Sequence, residues 1–349
     1  MEIIRLDMED GLWRKFLAKY NTLIFHTPEW KMFIEKSLGR VTTDYYAVID
    51  EGEIRFMLPL IHVKHPVLGS RVISCGFIEY GGPAGLIRPE YLDAVVAEVS
   101  GRYSKGADYL EIRQGIEDFD SMLSRGSFRS RVDYKRFITK LDSAESLWGR
   151  IDKQKRKAVR KAESLGVSVR EVGKNDVGEI YELYLRNMKA FGSPPLPKAF
   201  FDNFFGILGD AGLAKGYGAY HDKKLVALLI GYTYRKRIHI IIAVSEGKFL
   251  QLRPNDAVHW EFMKWGCENG YEIFDWGRVR EDSGQFGFKR LWASEMHDLN
   301  HYYLLWKSKE LPGIDPTNPR YKLMISIWKR APLFISRRIG PWLREGLGI

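Results

Sequence analysis

The chain has 349 residues, with 54 Lys and Arg against 44 Asp and Glu for a net charge of +10, and it is 45% hydrophobic and 13% aromatic. That is apolar material for two domain-sized cores, and it excludes a mainly disordered chain. Two distant cysteines, Cys75 and Cys267, and eight scattered histidines offer neither a disulfide framework nor a metal-ligand cluster, so no metal site is expected. No uncharged run approaches the ~18 residues of a membrane span. The acidic start lacks the basic and apolar regions of a signal peptide, and the expected location is cytoplasmic, in solution or peripheral to a membrane.

The predicted elements begin with a helix carrying Leu12, Trp13, Phe16, Leu17 and Tyr20 on its apolar face, then a second helix capped by Thr27 and opened by Pro28. Strands follow at 45–49 and 54–61 around the turn Asp50-Glu51-Gly52-Glu53, and at 71–78 before the turn-rich Tyr80-Gly81-Gly82-Pro83. A helix from Pro89, a strand at 109–113, another helix and a strand at 134–141 close the first half. The second half opens with a basic helix over 147–165, a strand at 167–172 and a helix over 177–191 with Ile180, Leu183, Tyr184 and Met188 aligned. An aromatic helix with Phe200, Phe201, Phe204 and Phe205 leads into a three-strand meander at 214–220, 225–234 and 238–244. A helix over 255–269 and a strand at 272–276 end the pattern.

The charge is concentrated. Residues 150–161 carry net +6 and residues 321–349 net +5, which leaves −1 for everything else. Lys153 to Lys161 is a candidate surface for tRNA or another RNA, or simply a solvated helix face. The tail, with Trp328, Phe334 and Trp342 among Lys329, Arg330, Arg337, Arg338 and Arg344, has the composition of a segment packed on the protein or lying on an anionic membrane surface.

This order of elements is that of the GNAT acyltransferase fold, and it occurs twice. The expected fold class is therefore α/β, two tandem GNAT-like domains with mixed, mainly antiparallel sheets flanked by helices, over 1–142 and 143–310, followed by a tail over 311–349. In a GNAT domain the loop after the meander presents backbone N–H groups to the pyrophosphate of coenzyme A. Here that loop reads Leu252-Arg253-Pro254-Asn255-Asp256, without glycine, with a proline that lacks a donor and a carboxylate where a phosphate would sit. A coenzyme A thioester donor is disfavoured, and no cofactor is expected. Downstream, the strand Ile273-Phe274-Asp275-Trp276 ends at Gly277-Arg278, and after a polar loop comes Phe288-Lys289. A lysine among aromatic rings can stabilise an oxyanion or a departing oxygen. The plain alternative is a core phenylalanine beside a surface cation.

These residues resemble the FemAB family of aminoacyl transferases, in which a Phe-Lys pair lies in the second of two facing GNAT-like domains. The resemblance is greatest to FemAB-related proteins associated with exosortase and extracellular polysaccharide systems. It is carried by Arg253-Pro254-Asn255 with Trp260-Glu261, by Phe274-Asp275-Trp276-Gly277-Arg278, by Phe288-Lys289-Arg290-Leu291-Trp292, and by Asn318-Pro319-Arg320-Tyr321 with Trp328-Lys329-Arg330-Ala331-Pro332. In the first half it is carried by Phe25 to Trp30 and Tyr80-Gly81-Gly82-Pro83. The resemblance implies transfer of an aminoacyl or acyl group, from aminoacyl-tRNA, to an amine of a cell-envelope or polysaccharide-related acceptor. It implies catalytic roles for Lys289 and Phe288, and substrate contacts for Asp275, Gly277, Arg278, Arg253, Asn255, Trp260, Trp30 and Tyr80. The family's coiled-coil tRNA-binding arm has no counterpart here, and two departures concern the acceptor: the family's precursor-holding arginine falls at Leu196 and its first-domain lysine at Met32. The rival functions are a coenzyme A-dependent N-acetyltransferase and a non-catalytic RNA- or anionic-lipid-binding protein.

Overall fold

The computed structural model describes residues 1–7, 11–113, 119–124, 126–312 and 319–348, with the backbone alone for 319–324. Part of the acidic start (8–10), part of the helix expected after residue 113 (114–118) and the motif residue Asn318 lie outside the described residues.

The first half contains β1 (Glu2–Arg5), α1 (Gly11–Lys19), α2 (Pro28–Ser37), β2 (Val41–Asp50), β3 (Glu53–His65), β4 (Gly69–Ser74), β5 (Ala84–Gly85), α3 (Pro89–Tyr103), β6 (Tyr109–Arg113), α4 (Asp120–Leu123) and β7 (Arg129–Lys140). Next come α5 (Ala144–Arg150), α6 (Lys153–Ser164), β8 (Ser168–Val172), α7 (Val177–Phe191), α8 (Lys198–Asn203), β9 (Ala214–His221), β10 (Lys224–Tyr234) and β11 (Arg237–Ser245). The order ends with α9 (Pro254–Glu268), β12 (Ile273–Val279), α10 (Gly284–Arg290), β13 (Ser294–Leu305), α11 (Pro319–Arg330) and α12 (Leu333–Leu347).

Local signals behave as their chemistry requires. Thr27 Oγ1 accepts the Trp30 N–H at 3.2 Å to start α2 behind Pro28, and Gly192, left-handed at φ 75°, ends α7. The expected single basic helix over 147–165 is instead two helices. Ile151 is extended, and Asp152 Oδ1 accepts the Gln154 N–H at 2.7 Å, a cap that restarts the chain as α6.

The chain forms two compact units that differ from the expected division at 142 and 310. The first comprises 1–133, 299–318 and 342–349, and the second 134–298 and 319–341. Strands β7 and β13 contribute residues to both, and the tail is divided between the units instead of standing apart.

In the first unit the strand order is β1-β2-β3-β4-β6-β13, with β5 on β3; in the second it is β7-β12-β11-β10-β9-β8. Each unit has one parallel pair, β4 with β6 and β11 with β12, among otherwise antiparallel neighbours. In each, the strand entering that pair carries a buried carboxylate between apolar residues: Glu111 in Leu110-Glu111-Ile112-Arg113, and Asp275 in Phe274-Asp275-Trp276-Gly277-Arg278. A strand covered on both faces leaves such a charge no water, so each needs a cationic partner.

For Glu111 the partners are Arg113, whose Nε donates at 2.9 Å, and His301 at 3.0 Å. Burial acts to raise the Glu111 carboxyl, but the Arg113 guanidinium and His301 outweigh it and hold it well below the usual carboxylate range. Because the folded-state value is depressed, this stability is present above the unfolded carboxyl value and is lost as pH falls below it. Glu111→Gln is expected to cost about 3 kcal/mol at neutral pH, since it strands a buried guanidinium. It should also flatten the acid limb of stability below about pH 4.5 in urea melts; an unchanged limb would assign that limb to other groups.

Candidate functional site

Strands β11 and β12 pair only over Arg237, Ile238 and His239 with Ile273, Phe274 and Asp275, although the strands continue to Ser245 and Val279. Beyond Asp275 they part. On the other side of β12 the register with β7 shifts between Asp275 and Arg278, and Gly277 takes φ 66°, a conformation that favours glycine. Asp275, with no exposed surface, holds this bulge: it accepts the Gly277 N–H at 3.0 Å and is flanked by Arg237 at 3.2 Å and Arg136 at 3.8 Å. Arg278 lies over the Tyr134 ring, 4.9 Å from its centroid.

The carbonyls of the same turn face Lys289. Its buried Nζ donates to Trp276 O at 2.6 Å and Arg278 O at 3.0 Å, with Gly277 O at 3.4 Å. Lys289 is therefore not the surface cation of the plain alternative. The ammonium expected to face a reacting carbonyl instead gathers three backbone carbonyls at the end of β12.

Phe288 lies among His259, Trp276 and Trp292, at centroid distances of 5.2, 6.3 and 6.0 Å. Over its ring, 3.5 Å from the centroid, sits Nζ of Lys155, which is ion-paired at 2.8 Å with buried Asp256 at the start of α9. Burial pulls the Lys155 ammonium below its ordinary value, and Asp256 offsets this in part. Asp256 thus fills the first turn of α9 together with Pro254, while Arg253, left-handed at φ 61°, stands exposed before it.

His259 stacks on Trp276, ring centroids 5.0 Å apart at 15°, and its Nδ1 lies 2.6 Å from Asn255 O. That carbonyl can only accept, so Nδ1 carries the hydrogen and Nε2 the lone pair. Burial pushes the imidazole down to about 3, assisted by Lys155 and Lys289 and opposed by the Asn255 hydrogen bond. Trp276 Nε1 donates to Thr139 Oγ1, which donates to Trp292 O, both at 2.9 Å, tying β12, β7 and the end of α10 together.

Of the expected site residues, Asp275, Gly277, Arg278, Phe288 and Lys289 come together around the end of β12, with Arg253 and Asn255 at the start of α9. Asn255 Nδ2 donates to Ser245 Oγ at 3.0 Å, holding α9 to the end of β11. Trp260 packs against Trp148, 4.4 Å between centroids, along the α5–α9 contact. Trp30 and Tyr80 belong to the first unit and are core residues there, each in edge contact with Phe25. The sequence reading missed His259 and Thr139, and it counted Lys155 within the RNA-facing stretch Lys153 to Lys161, whereas the structure buries its ammonium between Asp256 and the Phe288 ring. A signal for Lys155 was present: it shares one face of α6 with Val159 and Ala162 at i+4 and i+7, an apolar stripe interrupted by a cation. Among the described residues there is no group of three or more side chains fit to hold a metal.

Residues 149–290 match the family described as Acetyltransferase (GNAT) domain. The fold is similar to the crystal structure of FemX, at 14% identity and TM-score 0.70, covering 93% of this chain and 100% of that one. It is similar to the C-terminal domain of a protein from Agrobacterium fabrum named for lysylphosphatidylglycerol synthetase, at 13% identity, TM-score 0.59, 84% of this chain and 90% of that one. It is also similar to a tandem GNAT protein from the clavulanic acid biosynthesis pathway, at 13% identity, TM-score 0.56, 88% of this chain and 99% of that one. No relative with a curated description matches the sequence. The match gives residues 149–290 as a GNAT-type acetyltransferase domain. The likeness in fold to FemX and to the tandem GNAT protein extends over most of the chain, so its fold is that of a tandem GNAT protein.

Proposed function

We propose that this protein is an N-acyltransferase that moves an aminoacyl group from an ester donor, aminoacyl-tRNA, to an amine on a cell-envelope or polysaccharide-related acceptor. The observation that carries this reading is the start of α9. Where a coenzyme A pyrophosphate would need free backbone donors, Pro254 supplies none, and Asp256 holds a negative charge in a buried pair with Lys155. A thioester donor of that kind finds one backbone donor missing and the first turn of α9 occupied by that ion pair. A nucleic-acid donor finds Lys153, Lys157, Arg160 and Lys161 exposed on α6, with Arg253 as a further exposed cation.

In the reaction the acceptor nitrogen attacks the ester carbonyl, the N–C bond forms and the C–O bond to the ribose breaks. The amine proton passes to the departing oxygen. His259 is too weak a base to take that proton at neutral pH, so the handover runs between the reacting groups. Lys289 and Asp275 act as positioning residues, pinning the bulge of β12 through its carbonyls and its Gly277 N–H. Phe288 shapes the wall beside them, and in this reading Arg278, which lies over the Tyr134 ring, takes an anionic group of the acceptor.

Calorimetry with acetyl-CoA is expected to give no saturable binding, whereas single-turnover assays with aminoacyl-tRNA and amine acceptors should release free tRNA. Saturable acetyl-CoA binding with acetyl transfer would replace this reading by the coenzyme A-dependent one. Absence of transfer from either donor, with RNA bound, would leave a binding protein.

A further inference from the structure

We infer that the outward face of α11 and the first half of α12 is a docking surface for an anionic bilayer. Three of the large apolar side chains that remain exposed among the described residues are carried by these two helices, Ile327 at 60%, Phe334 at 70% and Ile339 at 46%, and a fourth, Phe191 at 55%, precedes Gly192, which Ile325 and Lys329 of α11 approach. Phe191 and Phe334 are the only phenylalanines among them. Burying such rings is what a folded surface ordinarily does, and their exposure on two adjoining helices and at the end of α7 that α11 touches marks a contact surface.

The helices are held in place by their opposite face. Trp328 Nε1 donates to Ser193 O at 3.0 Å, and Gly192 lies so close to Ile325 and Lys329 that a Cβ would come within 2.6 Å of Ile325 Cγ2. Gly340 is equally tight against Pro195, where a Cβ would be 2.2 Å from Cδ, and Ser336 is wholly buried. What is turned outward is Ile327 with Arg330 at i+3, and Phe334 with Arg338 at i+4.

Charge selects the occupant. Residues 319–341 contain six Lys and Arg and no acid. Arg337 is paired with Glu182 at 2.6 Å, while Lys329, Arg330 and Arg338 have no ion pair among the described residues. A second copy of the chain docking by this face would set these cations against each other. An RNA would account for the arginines but not for the aliphatic Ile327 and Ile339, which gain nothing from bases. An anionic leaflet answers both, since phosphates meet the guanidinium groups and the apolar side chains enter the acyl boundary. Among the described residues no helix is long and apolar enough to cross a membrane, and the contact proposed is with the surface.

The test is co-sedimentation of the full chain with vesicles of phosphatidylcholine containing one-third phosphatidylglycerol, against phosphatidylcholine alone. The protein is expected to bind the anionic vesicles, less so as salt is raised. Arg330→Gln with Arg338→Gln should weaken partition on the order of twentyfold, and Ile327→Ser with Phe334→Ser on the order of tenfold. All four side chains are exposed, so the near-UV circular dichroism should be unchanged. Failure of the wild type to sediment at low salt, or unaltered binding by both pairs, overturns the proposal. So does an unstructured RNA bound through the arginines while vesicles are ignored.

Discussion

Replacing Lys289 by methionine is expected to lower transfer on the order of 100-fold while leaving a folded protein of reduced stability. Methionine fills the volume of the stem but withdraws the ammonium from the carbonyls of Trp276, Gly277 and Arg278. A buried carbonyl without a donor costs about 1–3 kcal/mol. Losing these contacts together should therefore destabilise the second unit by about 3 kcal/mol, a fall in Tm of roughly 10 °C. The larger effect is on geometry. Without its anchor the bulge of β12 relaxes, and a displacement of about 1 Å at a reacting centre costs on the order of 100-fold. The measurement is single-turnover transfer at a temperature well below the variant's melting point, beside a urea melt. Full activity there would remove Lys289 from the function and leave it a structural cation; lost activity with unchanged stability would put the ammonium on the substrate itself.

His259 is expected to give the protein a strong loss of stability on mild acidification. Its folded-state value of about 3 lies below the ordinary histidine value of 6.5, so the unfolded chain binds the extra proton. Stability from the neutral imidazole is complete above about pH 6.5 and is lost as pH falls from there toward 3. The full difference is on the order of 5 kcal/mol, because each unit of displacement is about 1.4 kcal/mol. His259→Phe keeps a ring against Trp276 and cannot titrate. The wild type minus variant difference in unfolding free energy should slope between pH 6.5 and 4 by about 1.4 kcal/mol per pH unit, against a constant offset of about 1 kcal/mol for the lost Asn255 hydrogen bond. A flat difference would mean that the imidazole is reached by water and titrates normally.

Much of the local structure was legible because its causes are local. The Thr27 cap, Pro28, the left-handed Gly192 and the apolar runs and turns of the meander each depend on residues a few positions apart. The element order written in them is that of a doubled GNAT-like fold. The sequence reading joined α5 and α6 because the basic residues run through, and only the Asp152 cap with the extended Ile151 parts them. It passed over β13, whose first half, Ser294 to Asp298, is polar and exposed and shows no alternation. The expected membrane-like tail is docked helix on one face and open on the other, a distinction composition cannot make.

The site divides in the same way. Phe288-Lys289, Asp275-Trp276-Gly277-Arg278 and Arg253-Pro254-Asn255 can be picked out along the chain, since each is a contiguous string. Their partners cannot. Lys155 finds Asp256 across 101 residues, Trp276 finds Thr139 across 137, and Thr139 finds Trp292 across 153. Helix and strand periods, caps and the position of the charge follow from short-range sterics and hydrogen bonding, and those the sequence determined. Which buried charge meets which, and what Lys289 holds, depends on how sheets and helices exclude water from groups distant along the chain, and that only the tertiary structure decided.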